Sequence, residues 1–198
     1  MIWTIVRPHL LKLYYEGKDM ADWYTGASEG KSYTFMKMVA ATSPMCDVPT
    51  NIKLALRAWK QLNKLNNGLP DVHMKRPRYT GFIRSHKLNL RRATVGAALS
   101  GPKVKSFYSN LTGWSYDVTI DRWMLRAVRC TRDSLTVKQY DSLAAEFRAL
   151  AEEVKALPCE FQAAVWTAMK RRNGDVVNER WVETYERIVK EIGDEKSG

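Results

Sequence analysis

The 198-residue chain predicts an all-α fold, on three observations. Apolar residues recur at helical spacing over most of its length. Alternating β-branched runs bounded by turns are nearly absent. The punctuation is that of helices: Asp or Thr before apolar-periodic stretches, Pro at their first position, Gly or Pro after their ends. A chain of this size builds one body at about 100–200 residues per domain. Its 45% hydrophobic and 27% charged residues are too apolar for a disordered segment. No apolar run reaches the roughly 18 residues of a membrane span.

The elements follow in order. A first helical region is expected from about Arg7 to Trp23, broken at Gly17. Ser32 to Ser43 is apolar enough for a central helix and must stop before Pro44. After a Pro49-Thr50 turn, Asn51 to Leu65 puts Ile52, Ala55, Leu56 and Trp59 on one face, with Lys53, Arg57, Lys60 and Lys64 outside it. Asn66-Asn67-Gly68-Leu69-Pro70 closes that helix and opens a long basic loop. A short helix around Gly81 to Arg92 leads to the tight turn Ala98-Leu99-Ser100-Gly101-Pro102. Pro102 suits the first position of the next helix, which carries Val104, Phe107, Tyr108 and Leu111 and stops at Gly113. Asp117 to Asp121 is extended, and Asp121 caps a helix through Val128. Thr136-Val137-Lys138-Gln139 has the form of a capping box opening a helix to about Leu157. Pro158 starts another through Arg171, and Asn178 to Ile192 forms the last.

Charge is concentrated. Of the 32 Lys/Arg, nine fall between Val72 and Tyr116 together with none of the 21 Asp/Glu, so this segment supplies nine of the eleven net positive charges. The nine are Lys75, Arg76, Arg78, Arg84, Lys87, Arg91, Arg92, Lys103 and Lys105. Such a field attracts a polyanion. Aromatics interleave with it, as where a nucleic-acid backbone is gripped and bases are stacked. Cys46, Cys130 and Cys159 make neither a disulfide set nor metal spacing, so no metal and no cofactor is expected. His9, His73 and His86 lack an adjacent acid or nucleophile and read as surface or phosphate-contact residues. Trp166 and Trp181 read as core. The N-terminus carries Arg7 after its apolar residues with no small-residue cleavage site, so no signal peptide is expected.

Two neighbouring elements carry chemistry: the turn Leu99-Ser100-Gly101-Pro102-Lys103-Val104-Lys105, entering a helix, and Val118-Thr119-Ile120-Asp121, entering the next. Amides exposed at a helix start suit a phosphate bound without reading sequence. This arrangement resembles the helix-hairpin-helix DNA glycosylases of the endonuclease III superfamily, whose hairpin L-P-G-(V/I)-G-x-K-(T/V)-A is followed by V-D-(T)-H-V. Aligning Gly101 with the second hairpin glycine sets Lys103 on the family's lysine nucleophile and Asp121 on its essential aspartate. Their separation of eighteen residues agrees with the family's to about one residue. Met38 to Pro44 and the helix from Asn51 resemble the family's early helix and turn, and Glu160 to Trp166 resembles the late helix of short phage-encoded members. The chain departs from the pattern at Leu99, in place of the first hairpin glycine, at Trp123, where His often stands, and in lacking the four-cysteine cluster loop.

The resemblance implies a helix-hairpin-helix glycosylase-like helical bundle. It would be a single body over 1–198 whose core is 32–130, with the helical part 131–198 packed on it. It implies a monomeric enzyme acting on double-stranded DNA with a flipped damaged or modified base, in the cytoplasm, or the host cell's cytoplasm if phage-encoded. Breaking the glycosidic bond develops oxocarbenium character, which the Asp121 carboxylate would stabilise, while Lys103 would attack C1′. Lys75, Arg76, Arg78, Arg84, Lys87, Arg91, Arg92, Gly101 and Lys105 would bind DNA. Tyr24, Tyr79, Trp114 and Tyr116 are the candidates for a wedge or a base-pocket wall. Two other functions stay open. The phage base-hypermodifying alpha-glutamyl/putrescinyl thymine pyrophosphorylases resemble the same superfamily. A non-catalytic DNA-binding protein would keep the basic segment, with Asp121 no more than an N-cap.

Overall fold

The computed structural model describes residues 29–66, 75, 77–174, 187, 188 and 190. Among them all regular structure is helical: α1 (Glu29–Thr42), α2 (Val48–Asn66), α3 (Arg84–Thr94), α4 (Pro102–Leu111), α5 (Arg122–Ala127), α6 (Val137–Glu153) and α7 (Pro158–Arg172). The expected helices over 7–23 and 178–192 lie outside the described residues, apart from helical backbone at 187, 188 and 190. No helix among the described residues is long and apolar enough to cross a membrane. The described residues fall into two compact units, the first holding 29–100 with 187, 188 and 190, the second 101–174.

In the first unit α1 packs against α2 and α3. From Phe35 to Thr42 almost every α1 side chain is buried, as a central helix requires. Phe35 meets Trp59 of α2 edge to face at 5.6 Å between ring centres, and Ile52, Ala55, Leu56 and Leu62 complete the apolar face of α2. That helix begins at Val48, three residues before the expected start. Pro49 fits a first turn, where an amide hydrogen has no helical partner, and the Asp47 carboxylate accepts the Thr50 N–H at 2.9 Å. At its other end the buried Asn66 side chain donates to the Lys75 carbonyl at 2.9 Å and accepts the Lys75 N–H, pinning the far end of the basic loop.

The turn between α3 and α4 is held by side chains. Asn89 of α3 donates to the Ser100 carbonyl at 3.1 Å and accepts the Ser100 N–H at 2.6 Å. The Lys37 ammonium donates to the carbonyls of Gly96 at 2.8 Å and Ala97 at 3.4 Å, and burial lowers its pKa. Arg92 reaches the Ala98 carbonyl at 3.1 Å. Leu99 is 3% exposed, so the residue that departs from the hairpin pattern is anchored in apolar surroundings.

The second unit is built on Val118, Ile120, Met124, Leu125, Tyr140, Ala144 and Phe147, with Leu143, Phe161, Val165 and Trp166 packed against them. Helix α7 contacts both α5 and α6. The capping box of α6 forms as expected, Thr136 Oγ1 accepting the Gln139 N–H and Gln139 Oε1 the Thr136 N–H. The helix stops at Glu153, four residues short of the expected end. Lys155 turns left-handed at φ 54°, and the Ala156 N–H returns to the Ala151 carbonyl at 2.9 Å, closing the last turn. Helix α4 ends at Leu111, where the Thr112 hydroxyl donates back to the Tyr108 carbonyl at 3.0 Å, just before Gly113 at φ 71°.

Asn89→Ala removes both bonds to the turn and leaves the Ser100 N–H without an acceptor. It should cost about 1–3 kcal/mol. Urea unfolding followed by tryptophan fluorescence reads this, and an unchanged midpoint would contradict the clamp.

Candidate functional site

Residues 117–121 form an extended strap, which α4, α6 and α7 of the second unit grip through side chains and α5 through backbone amides. From α4, Asn110 donates to the Asp117 carbonyl at 2.7 Å and accepts the Asp117 N–H at 3.0 Å. Ser106, one turn earlier, donates to the Val118 carbonyl at 2.7 Å and pairs with the Thr119 hydroxyl at 3.2 Å. The chain after Gly113 therefore runs back along α4. From α6, the Tyr140 hydroxyl accepts the Ile120 N–H at 3.0 Å and donates to the Val118 carbonyl at 3.3 Å. Arg148 holds the Asp117 carboxylate side-on, Nε to Oδ1 at 2.7 Å and the terminal nitrogen to Oδ2 at 3.1 Å.

The strap ends at Asp121, the N-cap of α5. Its Oδ1 accepts the backbone N–H groups of Trp123 at 2.9 Å and Met124 at 3.1 Å, and its Oδ2 accepts the indole N–H of Trp166 at 3.0 Å. The carboxylate is half-buried and oriented by three N–H donors from two helices. Lys103 is half-buried in the first turn of α4. Steps of three and four residues set Lys103, Ser106 and Asn110 on one face of that helix. Asn110 and Ser106 face Asp117 and Val118–Thr119 in turn. Gly101, at φ 89°, caps α4, and a Cβ added there would meet nothing within 4 Å. Only the left-handed φ demands glycine there, and the backbone stays open to solvent.

Titration follows these contacts. Burial pushes the Asp117 carboxyl up, but the Arg148 guanidinium and the Val118 N–H outweigh it and hold the group below the ordinary aspartate value. Burial raises the Tyr140 hydroxyl. Burial also pushes the Cys159 thiol up to about 12, an inert state. Among the described residues no group of three or more His, Cys, Asp or Glu lies together as for a metal ion.

Of the sequence-predicted DNA contacts, Lys75, Arg78, Arg84, Arg91, Arg92, Gly101 and Lys105 are exposed and Lys87 is half-buried. All but Gly101 and Lys105 belong to the first unit. Arg76 lies outside the described residues, as do Tyr24, His9, His73 and Trp181. Among the aromatic candidates Trp114 is 65% exposed, edge to face with Tyr108 at 5.5 Å, and Tyr116 is 43% exposed. Tyr79 corrects the expectation. It is fully buried and its hydroxyl pairs with Thr94, so it is a core residue and no wedge. His86 is buried too, its Nε2 at 2.9 Å from the Pro44 carbonyl, so it is not the surface residue expected. Trp166, expected in the core, is half-buried and orients Asp121. Ser106 reads in the sequence only as a small polar residue of the basic segment, and Asn110, Tyr140 and Arg148 carry no signal there. Their roles depend on partners 7 to 31 residues away, and no local pattern marks them.

Residues 11–173 match the profile of a family of unknown function (DUF7178). No curated protein and no solved structure matches the chain.

The folded-state pKa of Asp117 is lowered, so its pairing stabilises the protein fully above the unfolded aspartate value of about 3.9 and less as pH falls through the lower folded value. Both partners are more than a third exposed, which limits the effect to about 1 kcal/mol or less. Asp117→Asn should flatten that part of the acid-unfolding profile and leave it unchanged above pH ~6. A variant profile parallel to the parent's at all pH would contradict the pairing.

Proposed function

The chain belongs to the DUF7178 family, and we propose that it is a DNA-directed enzyme of helix-hairpin-helix type that acts on a flipped base, as a glycosylase or glycosylase/lyase. One observation carries the reading. A half-buried lysine opens the helix after a glycine turn, and the strap that runs back along the same face of that helix ends on an oriented, half-buried carboxylate. Extending the register of Asn110 and Ser106 by one more turn, about 4.5 Å of helix rise, would set Lys103 toward the end of the strap, where one sugar could meet both groups.

The exposed cations of residues 75–105 grip the phosphate backbone, and the α4 start at Gly101 offers its amides to one phosphate. A nucleotide turned out of the stack exposes its glycosidic bond. As that bond lengthens, the Asp121 carboxylate stabilises the positive charge on the sugar. The Lys103 ammonium loses a proton to water and its electron pair attacks C1′ while the base departs with the electrons of the C1′–N bond; the bound nitrogen then loses a proton and expels O4′, which takes a proton as the sugar ring opens, to give the Schiff base from which the strand is cut. Trp114 and Tyr116 remain the wedge candidates in this scheme.

A second reading is a DNA-binding protein without catalysis. It is favoured by the three hydrogen bonds already made by the Asp121 carboxylate, which also suit a purely structural cap. The base-hypermodifying transferase reading uses the same two residues, Asp121 as base for an incoming amine and Lys103 to hold a leaving pyrophosphate.

Duplex binding should weaken with salt at a log–log slope of roughly −4 to −5, from about four to six phosphate contacts. Salt-insensitive binding would remove the polyanion reading. Borohydride should trap a covalent protein–DNA adduct in the parent. In Lys103→Gln the adduct should vanish while affinity stays within about threefold, one cation among many being lost. An adduct that persists in the variant would exclude Lys103 as nucleophile.

A further inference from the structure

The sequence between Asp121 and Asp133 holds four arginines, Arg122, Arg126, Arg129 and Arg132, and no acidic residue. All four are exposed, while Met124 and Leu125 turn into the core. This group lies outside the basic segment 72–116, and it borders Asp121 directly. Helix α7, which packs on α5, ends in Lys170, Arg171 and Arg172.

Two cations here are fixed on indole rings. The Arg126 guanidinium lies over the Trp123 ring at 4.5 Å, and the Lys170 ammonium over the Trp166 ring at 4.8 Å. Trp166 is the residue that donates to Asp121, and Trp123 supplies one of the amides that the same carboxylate accepts. The carboxylate is therefore bonded to one half-buried indole by its ring N–H and to the backbone of a second half-buried tryptophan, and each ring carries a cation. Stacking on a ring restricts a long side chain before any ligand arrives and lowers the ordering cost of binding. A planar guanidinium backed by an indole is also a surface on which a nucleobase stacks, provided the base is unpaired.

We propose that α5, the turn after it and the C-terminal turn of α7 form a second nucleic-acid contact face, which binds unpaired nucleotides beside Asp121. Arg122, Arg129 and Arg132 meet phosphates, while the Trp123–Arg126 and Trp166–Lys170 pairs receive bases. This goes beyond the function proposed above, in which the contacts come from residues 75–105. It names an unpaired strand as the ligand of this face.

The test uses a short oligothymidine strand and fluorescence anisotropy across a salt series. The probe variant combines Arg122→Ser, Arg129→Gly and Arg132→Ser, the three arginines assigned to phosphates. Arg129 sits left-handed at φ 55°, where glycine is the easier residue, so Arg129→Gly alone removes a cation without strain and serves as a folding-safe check. The triple variant should lower the magnitude of the salt slope by about 2, as three lost phosphate contacts on a single strand require. Trp123→Leu should weaken binding by about 5- to 100-fold at an unchanged slope. Oligothymidine binding by the triple variant and by Arg129→Gly with the parent's affinity and slope would overturn the proposal. If duplex binding is meanwhile lost in Arg84→Ser/Arg91→Ser, the DNA reading above survives that failure. A parent that ignores duplex but binds oligothymidine through these arginines supports this face and overturns that reading. Binding to phosphatidylserine vesicles with none to oligothymidine would overturn this face as well.

Discussion

The hydrogen bonds that clamp the extended strap 117–121 are the interaction on which the second unit depends. An extended segment cannot satisfy its own amides and carbonyls as a helix does, and among helices it has no neighbouring strand to pair with. Asn110, Ser106 and Tyr140 supply those partners from two helices. Val118 and Ile120, which alternate with Asp117, Thr119 and Asp121, are buried to anchor the core. Because side chains point to opposite sides along an extended segment, the residues that enter the core also fix the side on which Asp117, the buried Thr119 and Asp121 lie. Asp121 is the last of these, and its direction is set by the strap, by the amides of α5 and by the indole of α7.

The first unit solves a similar problem by different means. The turn between α3 and α4 has no regular structure, and Asn89, Lys37 and Arg92 bond its backbone. Burying part of the Lys37 side chain is unfavourable for its charge, which shows in its lowered pKa, and the two carbonyls it reaches offset that cost. The turn is thereby held in one shape with Gly101 exposed at its end. A loop fixed in this way suits recognition of a backbone, which requires defined amide positions and no side-chain fit.

What was legible in the sequence was local. The Thr136/Gln139 capping box, Pro102 at a first helical position and Asp121 as an N-cap are each settled within four residues, and the all-helical class follows from such signals. Helix ends were missed by two to four residues where side chains decided, as with Thr112 closing α4 and Pro49 tolerated inside the first turn of α2. The contacts that build the site were not legible, since Trp166 meets Asp121 across 45 residues and Arg148 meets Asp117 across 31. Tyr79 and His86 misled for the same reason. They stand in a basic stretch that suggests an exposed face, while their own side chains turn inward to Thr94 and Pro44.

In the proposed function the strap posts the Asp121 carboxylate to act on a nucleotide as well as to cap a helix. Mass spectrometry of DNA carrying modified bases tests it most directly, after incubation with the parent and with Asp121→Asn, whose amide can still accept the capping bonds. A released base and an abasic strand are expected with the parent, and unaltered DNA with the variant. DNA of unchanged mass with both proteins, or the same products from both, would contradict it.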